Sequence, residues 1–389
     1  MMHETTVTDE SAQASQGRKW RIRVERRLET PAWWNVLVPV VSVALALLFG
    51  AIFLKMSGYS PVKVYTIMFK DTFGTRYGIT ETLVKATPLL LSAVGVSIAF
   101  RMQLWNIGAE GQIYVGALAA SWVALTFTGL PVYIMIPGMM IAAAFAGGLW
   151  AFLGSAPRAI WGVNEIITTL MLNYIAIFCV EYFVYGPWRD PMSFLFPLSP
   201  VFSKSAWLPC FGNTRIHAGL VFGIVAALAV GLLLSRTKWG YEIRVIGENP
   251  DAARYSGMSI SRNIILVMLL SGAISGIAGM CEVSGIIHRL QAQVSAGYGY
   301  TAIIIAWLAK LHPIGIIIVS FLFGGLLVAG YSVQIYGIPA DIATMLQGSL
   351  LFFVLGVEAL ARYRIRIIRS SPEPVQAQHT ADDVARETT

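Results

Sequence analysis

The amino-acid sequence predicts an all-α protein that crosses a lipid bilayer about ten times. Of its 389 residues, 56% are hydrophobic and only 13% are charged, whereas soluble proteins carry about 25% charged residues. A water-soluble chain of this length cannot bury so much apolar surface. The composition therefore excludes soluble enzymes, nucleic-acid-binding domains and disordered scaffolds as descriptions of the whole chain.

The apolar runs have the length of membrane helices. A membrane helix needs about 20 mostly apolar residues, whereas a membrane β-barrel shows alternating segments of about ten residues. Glycine and proline at residues 129–131 divide the longest uncharged run, residues 111–157, into two crossings. The predicted segments are residues 35–54, 82–100, two within 111–157, 165–185, 216–235, 263–281, 300–311, 314–330 and 342–360.

Lysine and arginine predict the orientation of these segments. Basic residues cluster at residues 18–27, in the loop 236–262 and at residues 362–369. With ten alternating crossings the three clusters lie on one side, and basic residues accumulate on the cytoplasmic side. The pattern predicts cytoplasmic N- and C-termini. It also explains the net charge of +7 without a nucleic-acid partner.

Composition divides the chain into three parts. Residues 1–33 are predicted to form a cytoplasmic leader with a basic segment that contains tryptophan, and an interfacial helix on an anionic leaflet fits this mixture. Residues 34–366 form the transmembrane domain, which includes the cytoplasmic loop 236–262. Residues 367–389 form a polar cytoplasmic tail.

No catalytic or metal-binding motif is present in the sequence. The patterns H-E-x-x-H, G-x-S-x-G and C-x-x-C are absent, and so is the phosphate-binding G-x-x-x-x-G-K-[ST]. The five histidines and three cysteines are too scattered for a metal site or a disulfide framework. We therefore predict no catalytic residue, no metal and no cofactor, and no ATP hydrolysis by this chain.

The cytoplasmic loop contains a short helix with both ends marked. Asn249 suits the N-cap, Pro250 the first helical position and Gly257 a left-handed residue after the end. Such a helix is either a simple connector or a rigid projection that fits a groove on another protein, and its defined ends favour the projection. The residues assigned to it are Gly247, Glu248, Asn249, Pro250, Asp251, Ala252, Ala253, Arg254, Tyr255, Gly257 and Met258.

Two further stretches carry polar side chains into apolar segments. One lies within residues 101–117 and the other within residues 162–176, where three polar side chains recur at i, i+4 and i+8. Ionisable groups at membrane depth are costly and usually functional or paired. These side chains either join helices or line a substrate path, and we favour the path. The residues concerned are Asn106, Glu110, Gln112, Asn164, Glu165, Thr169 and Asn173.

Three motifs in order carry a family resemblance. They are NIGAEGQ, GVNEIITTLMLNYIA, and ENPDAARYSGM followed by LSGAISGIAGMCE. Together they resemble permeases of ABC importers of the ribose and branched-chain-amino-acid type. Within this type, the chain looks most like the nucleoside-importer branch that works with basic-membrane-lipoprotein receptors. The resemblance covers residues 35–366.

The resemblance implies a type II importer-like fold in the bacterial plasma (inner) membrane, with two permease subunits around one pore. It implies four kinds of partner: the lipid bilayer, a cytoplasmic ABC ATPase, a second and paralogous permease, and an extracytoplasmic substrate-binding protein or lipoprotein. Residues 247–258 would be the coupling helix that rests on the ATPase. The cargo would be a nucleoside.

Two alternatives remain open at this point. One is a permease for ribose-like simple sugars, because a sugar suits the same polar side chains. The other is a secondary transporter driven by an ion gradient, a class that often carries ion sites near the bilayer midplane. The carboxylates Glu110, Glu165, Glu282 and Asp341 lie mostly near the ends of predicted spans, which favours the ABC importer.

Overall fold

Helices dominate the computed structural model, which describes residues 20–26, 34–194, 196–339 and 341–369. Each of the ten predicted segments corresponds to a helix, so the all-α class is confirmed. The elements are, in chain order, β1 (Trp20–Arg26), α1 (Trp34–Met56), α2 (Pro61–Phe73), α3 (Arg76–Arg101), α4 (Ala109–Thr126), α5 (Val132–Trp161), α6 (Glu165–Tyr185), α7 (Gly219–Arg236), α8 (Lys238–Glu248), α9 (Pro250–Tyr255), α10 (Ile260–Glu282), α11 (Tyr298–Leu308), α12 (Pro313–Gln334), α13 (Asp341–Arg362) and β2 (Tyr363–Arg369).

Seven helices of the described chain are long and apolar enough to cross a membrane: α1, α3, α5, α6, α7, α10 and α12. Helix α4 has 18 residues, but Glu110 and Gln112 lie in its first turns. Helix α11 and residues 341–357 of α13 are shorter apolar helices. These lengths and compositions are those of a multi-pass membrane protein.

Helices α3 and α10 form the interior of the bundle within residues 42–354. The apolar part of α3 is 89% buried and that of α10 is 67% buried, against 22% for α6. Helix α10 packs chiefly against α5, α4 and α3, and α3 also contacts α12, α11 and α7. The remaining helices therefore surround a two-helix centre.

Glycine permits the closest crossing, between α10 and α5. A Cβ atom on Gly276 would overlap the carbonyl oxygen of Ala143, and one on Gly147 would overlap that of Gly272. Small residues at such positions let membrane helices approach until their backbones touch, where dispersion forces hold them. The glycines of α10 thus explain why this helix occupies the centre.

The two strands belong to a separate unit, which contains residues 1–41 and 355–389. They pair antiparallel, from Trp20 opposite Arg369 to Arg26 opposite Tyr363. The predicted interfacial helix is therefore wrong for residues 20–26, where apolar and charged residues alternate with the period of a strand. The predicted boundary between domain and tail, at residue 366, falls inside β2. The remaining leader residues, 1–19 and 27–33, and tail residues 370–389 lie outside the described residues.

Two helices were not predicted. Helix α2 begins at Pro61 and buries Val64, Met68 and Thr72, which recur every fourth residue. Helix α8 buries Gly240, Ile243 and Ile246 at similar spacing. Both are short and amphipathic, so a search for long apolar runs passes over them.

We expect Gly147→Ala to destabilise the fold, because its new methyl group would separate α5 from α10. The loss should be about 1–3 kcal/mol, as for overpacked cores, and a thermal unfolding curve in detergent measures it. The control is Gly138→Ala on the same helix, where the nearest atom lies 3.8 Å from the added Cβ. That variant should be neutral or slightly stabilised. Equal melting temperatures for both variants would contradict the tight crossing.

Candidate functional site

Between α3 and α4 the chain leaves the helical conformation for seven residues, 102–108. Met102, Leu104, Asn106 and Gly108 in this segment are buried. Non-helical backbone at membrane depth is tolerated only where protein or a watery cavity satisfies its polar groups. The partners of this segment therefore decide whether it can exist.

Asn173 on α6 satisfies the C-terminal end of the segment. Its amide oxygen accepts a hydrogen bond of 2.8 Å from the backbone N–H of Gly111, and its amide nitrogen donates one of 2.9 Å to the carbonyl of Ile107. The same nitrogen lies 3.2 Å from the hydroxyl of Tyr300 on α11. One fully buried side chain thus joins α6 to the segment, to α4 and to α11.

A pair of side-chain amides anchors the middle of the segment. The amide nitrogen of Asn106 donates to the Gln112 amide oxygen at 3.1 Å, and the Gln112 amide nitrogen donates back at 2.9 Å. The second N–H of Asn106 donates to the Ser271 hydroxyl on α10 at 2.8 Å. All three side chains are buried. These bonds fix the start of α4 against the central helix.

The start of α6 holds the other end of the segment. The buried carboxylate of Glu165 accepts from the backbone N–H of Trp105 at 3.2 Å and lies 3.4 Å from Nε of Arg158. The Thr169 hydroxyl donates to the backbone carbonyl of Glu165, and the exposed Asn164 caps α6 by accepting from the N–H of Ile166. This end of α6 is therefore tied to both α5 and the segment.

Glu110 connects α4 to the start of α11. Its carboxylate is 3% exposed and accepts a hydrogen bond of 2.7 Å from the backbone N–H of Gly299. After α10 the chain makes a π-helical turn, Val283–Ile287, and runs without helix to Gly297. Helix α11 therefore begins against α4, and a carboxylate suits its N-terminus because the helix dipole is positive there.

A cavity of about 580 Å³ lies between the start of α4 and helices α11, α12 and α13. This volume is within the range of small-molecule sites in proteins, about 300–1,000 Å³. Its polar lining includes Glu110, Gln293, Ser295, Tyr300, Thr301 and Gln347.

Of the seven predicted path residues, Glu110 lines this cavity. Asn173 reaches its wall through the Tyr300 hydroxyl. The other five position the segment 102–108 and α6, and their part in transport stays a prediction. Three lining residues, Tyr300, Thr301 and Gln347, were not predicted from the sequence. For Gln347 a signal existed, since it follows Asp341 and Thr344 at intervals of three residues, and the residues between them are apolar.

A partly buried ion pair lies on the side of α11 that faces α3. Nζ of Lys85 is 3.8 Å from the Glu282 carboxylate and donates to the Tyr298 hydroxyl at 3.1 Å. That hydroxyl in turn lies 3.4 Å from the same carboxylate oxygen. A buried charge is tolerated when it is paired and hydrogen-bonded. The cluster fixes the first residue of α11 to α3 and α10.

Among the described residues, no group of His, Cys, Asp and Glu side chains could hold a metal.

Helix α9 has the predicted ends. The Asn249 side chain accepts from the backbone N–H groups of Asp251 and Ala252 at 3.1 and 3.0 Å. Pro250 is the first helical residue, and Gly257 has a φ of +75°. The sequence thus identified the N-cap, the first residue and the left-handed position correctly.

The exposure of α9 corrects one expected contact. Ala253 is completely buried within the chain, so its side chain cannot touch a partner as predicted. Gly247 packs against the backbone of Arg101, and Met258 is half-buried. Tyr255 is 97% exposed. The other exposed residues of the predicted set are Glu248, Asn249, Pro250, Asp251, Ala252, Arg254 and Gly257.

The known proteins that this chain resembles are permease components of transporters. The family described as the permease component of branched-chain amino acid transport systems matches residues 78–355. A glucose ABC transporter permease protein of Haloferax volcanii is 36% identical, over 89% of this chain and 94% of its own length. A guanosine ABC transporter permease protein of Bacillus subtilis is 34% identical over 84% and 94%. A nucleoside ABC transporter permease protein of Lactococcus lactis is 31% identical over 82% and 90%.

We expect Asn173→Leu to destabilise the protein, because it leaves the N–H of Gly111 and the carbonyl of Ile107 buried without partners. Each such group costs about 1–3 kcal/mol, and thermal unfolding of the purified protein measures the sum. Met171→Leu, at a half-exposed position of the same helix, is the control. If Asn173→Leu has the same melting temperature as Met171→Leu but transports poorly, Asn173 acts on the cargo rather than on the segment 102–108.

Proposed function

The chain belongs to the family of permease components of branched-chain amino acid transport systems, and from this premise we propose that it forms half of a path for nucleosides through a bacterial plasma membrane. As a permease component of an ABC transporter, it works with an ATPase and a substrate-binding protein and is not itself an enzyme. The finer proposal adds a second, paralogous permease and a receptor of the lipoprotein type outside the membrane.

The cargo assignment rests on relatives and on the lining of the cavity. Relatives are named for guanosine, nucleosides and glucose. The rings of Tyr300 and Tyr331 line the cavity and are 38% and 48% exposed. An aromatic ring offers a surface on which a nucleoside base can stack. A simple sugar has no base and would use this surface less fully. This favours nucleosides over ribose-like sugars.

The fixed ends and the exposed side of helix α9 support coupling to the ATPase. A coupling element must transmit force without melting, so it needs fixed ends and an exposed face. The Asn249 cap and the left-handed Gly257 fix the ends, while Tyr255 is almost fully exposed. Ala253 and Met258 anchor the inner side of α9 in the chain. We assign the exposed side, with Tyr255 and Ala252, to the ATPase.

Pairing of β1 with β2 supports cytoplasmic termini. Strand β1 precedes α1, and β2 follows α13 directly. Two strands that pair lie on one side of the membrane, so the chain between them makes an even number of crossings. The basic residues within both strands favour the cytoplasmic side.

We expect Tyr255→Ala to weaken co-purification of the ATPase and to lower ATP-driven uptake of labelled uridine by the complex several-fold. An exposed aromatic side chain is a common anchor of protein interfaces. The control is Tyr133→Ala, which also removes an exposed tyrosine. Tyr133 lies at the start of α5, whereas the end of this helix lies near α9. The two ends of α5 are about 40 Å apart. Full uptake and full co-purification of Tyr255→Ala would show that α9 is only a connector.

Cysteines placed at Ser15 and His379 should react with a membrane-impermeant maleimide only after the cells are opened. Both positions lie near the chain ends, where the basic clusters predict the cytoplasm. The exposed native Cys210 should first be replaced by serine. Labelling of either position in intact cells would contradict this topology.

A further inference from the structure

The lining of the cavity between α11, α12 and α13 carries negative charge without a positive counterpart. Glu110 and Asp341 are among its residues, and no Lys, Arg or His of the described chain is. Glu110 accepts a hydrogen bond from Gly299 through Oε2, and the Ser295 hydroxyl and the N–H of Gly297 are further partners, out of about four acceptor positions that a carboxylate offers; Asp341 is exposed. Acceptor capacity therefore remains available for groups that donate, such as hydroxyls.

A buried amide in the same wall is only partly satisfied. Gln347 is 7% exposed, and its Oε1 lies 3.2 Å from the Thr301 hydroxyl. Its Nε2 is buried and has no hydrogen-bond partner in the described chain. Leaving a buried amide group unpaired costs free energy. Because Gln347 lines the cavity, a turn of its amide towards a polar ligand would remove this cost, so Gln347 marks a position for a polar group of the cargo.

We propose that this cavity selects cargo by the absence of net negative charge: it binds uncharged, hydroxyl-bearing molecules and rejects anions such as those with a phosphate. This deepens the proposed function and rests on it. A hydroxyl donates to the free oxygens of Glu110 or Asp341, and Gln347 pairs with a second polar group. A phosphate would meet two carboxylates with no cation to offset the repulsion. A nucleoside is therefore accepted, whereas its monophosphate is not.

The charge of the cavity is tested with a cysteine at Thr344, an exposed lining residue on α13. In a background without Cys210 and Cys179, membranes of the intact complex are treated with cationic or anionic methanethiosulfonates, and the rates are normalised to a free thiol. We expect the cationic reagent to react about tenfold faster or more, because a site of one sign concentrates the opposite ion. Asp341→Asn should reduce the ratio. A cysteine at the exposed Thr66, between Lys63 and Lys70 on α2, should show the reverse preference.

Protection by cargo tests the selection itself. Uridine should slow modification of Thr344→Cys several-fold, whereas uridine monophosphate at the same concentration should not, and Gln347→Leu should abolish the protection. Equal reagent rates, or equal protection by the monophosphate, would overturn the proposal. Uridine uptake by the complex with its native cavity is measured in parallel. Uptake without selective protection refutes this inference alone, whereas a charge-selective cavity in a complex that takes up no nucleoside refutes the proposed cargo.

Discussion

Lipid offers no hydrogen bonds, so every backbone group that leaves helical bonding within the membrane must find its partner in the protein. In this chain the requirement is concentrated in residues 102–108. Most of its N–H groups bond to carbonyls within residues 99–105. From α6, Glu165 accepts from the N–H of Trp105 and Asn173 donates to the carbonyl of Ile107. Asn106 of the segment also donates to Ser271 of α10, so the segment depends on both α6 and α10 being in place around it.

The same constraint places the cavity. Helix α4 starts inside the bundle because the segment before it is not helical, and Glu110 in its first turn reaches the N-terminus of α11. The Lys85–Glu282 pair and the Tyr298 hydroxyl hold the opposite side of that N-terminus. Helix α11, held at its start by Glu110 and Glu282, contributes Tyr300 and Thr301 to the lining of the cavity. The polar network thus supports the wall of this cavity more than it lines the cavity.

The structure could be predicted from the sequence wherever it depends on neighbouring residues alone. Ten apolar segments became helices, and the capping residues of α9 took the predicted positions, because helix ends depend on neighbouring residues alone. The sequence did not predict the partners or the burial of side chains where these depend on contacts between distant parts of the chain. Polar spacing identified Asn173, but only packing shows that it bonds to backbone rather than facing a cavity. Gln347 lies more than 230 residues from Glu110 in the chain, so nothing local relates the two. Ala253 looked available for a partner because a single helix turn does not reveal which side it buries.

The crossing of α5 and α10 has a mechanical consequence. At Gly147 and Gly276 backbone meets backbone, so no rotamers exist there that could change during a cycle of transport. Ordinary helix interfaces slide in small steps as their side chains switch between staggered positions, but this one has no such intermediate states. Helices α5 and α10 are therefore expected to behave as one rigid body, and the motion of any transport cycle is left to the elements around them.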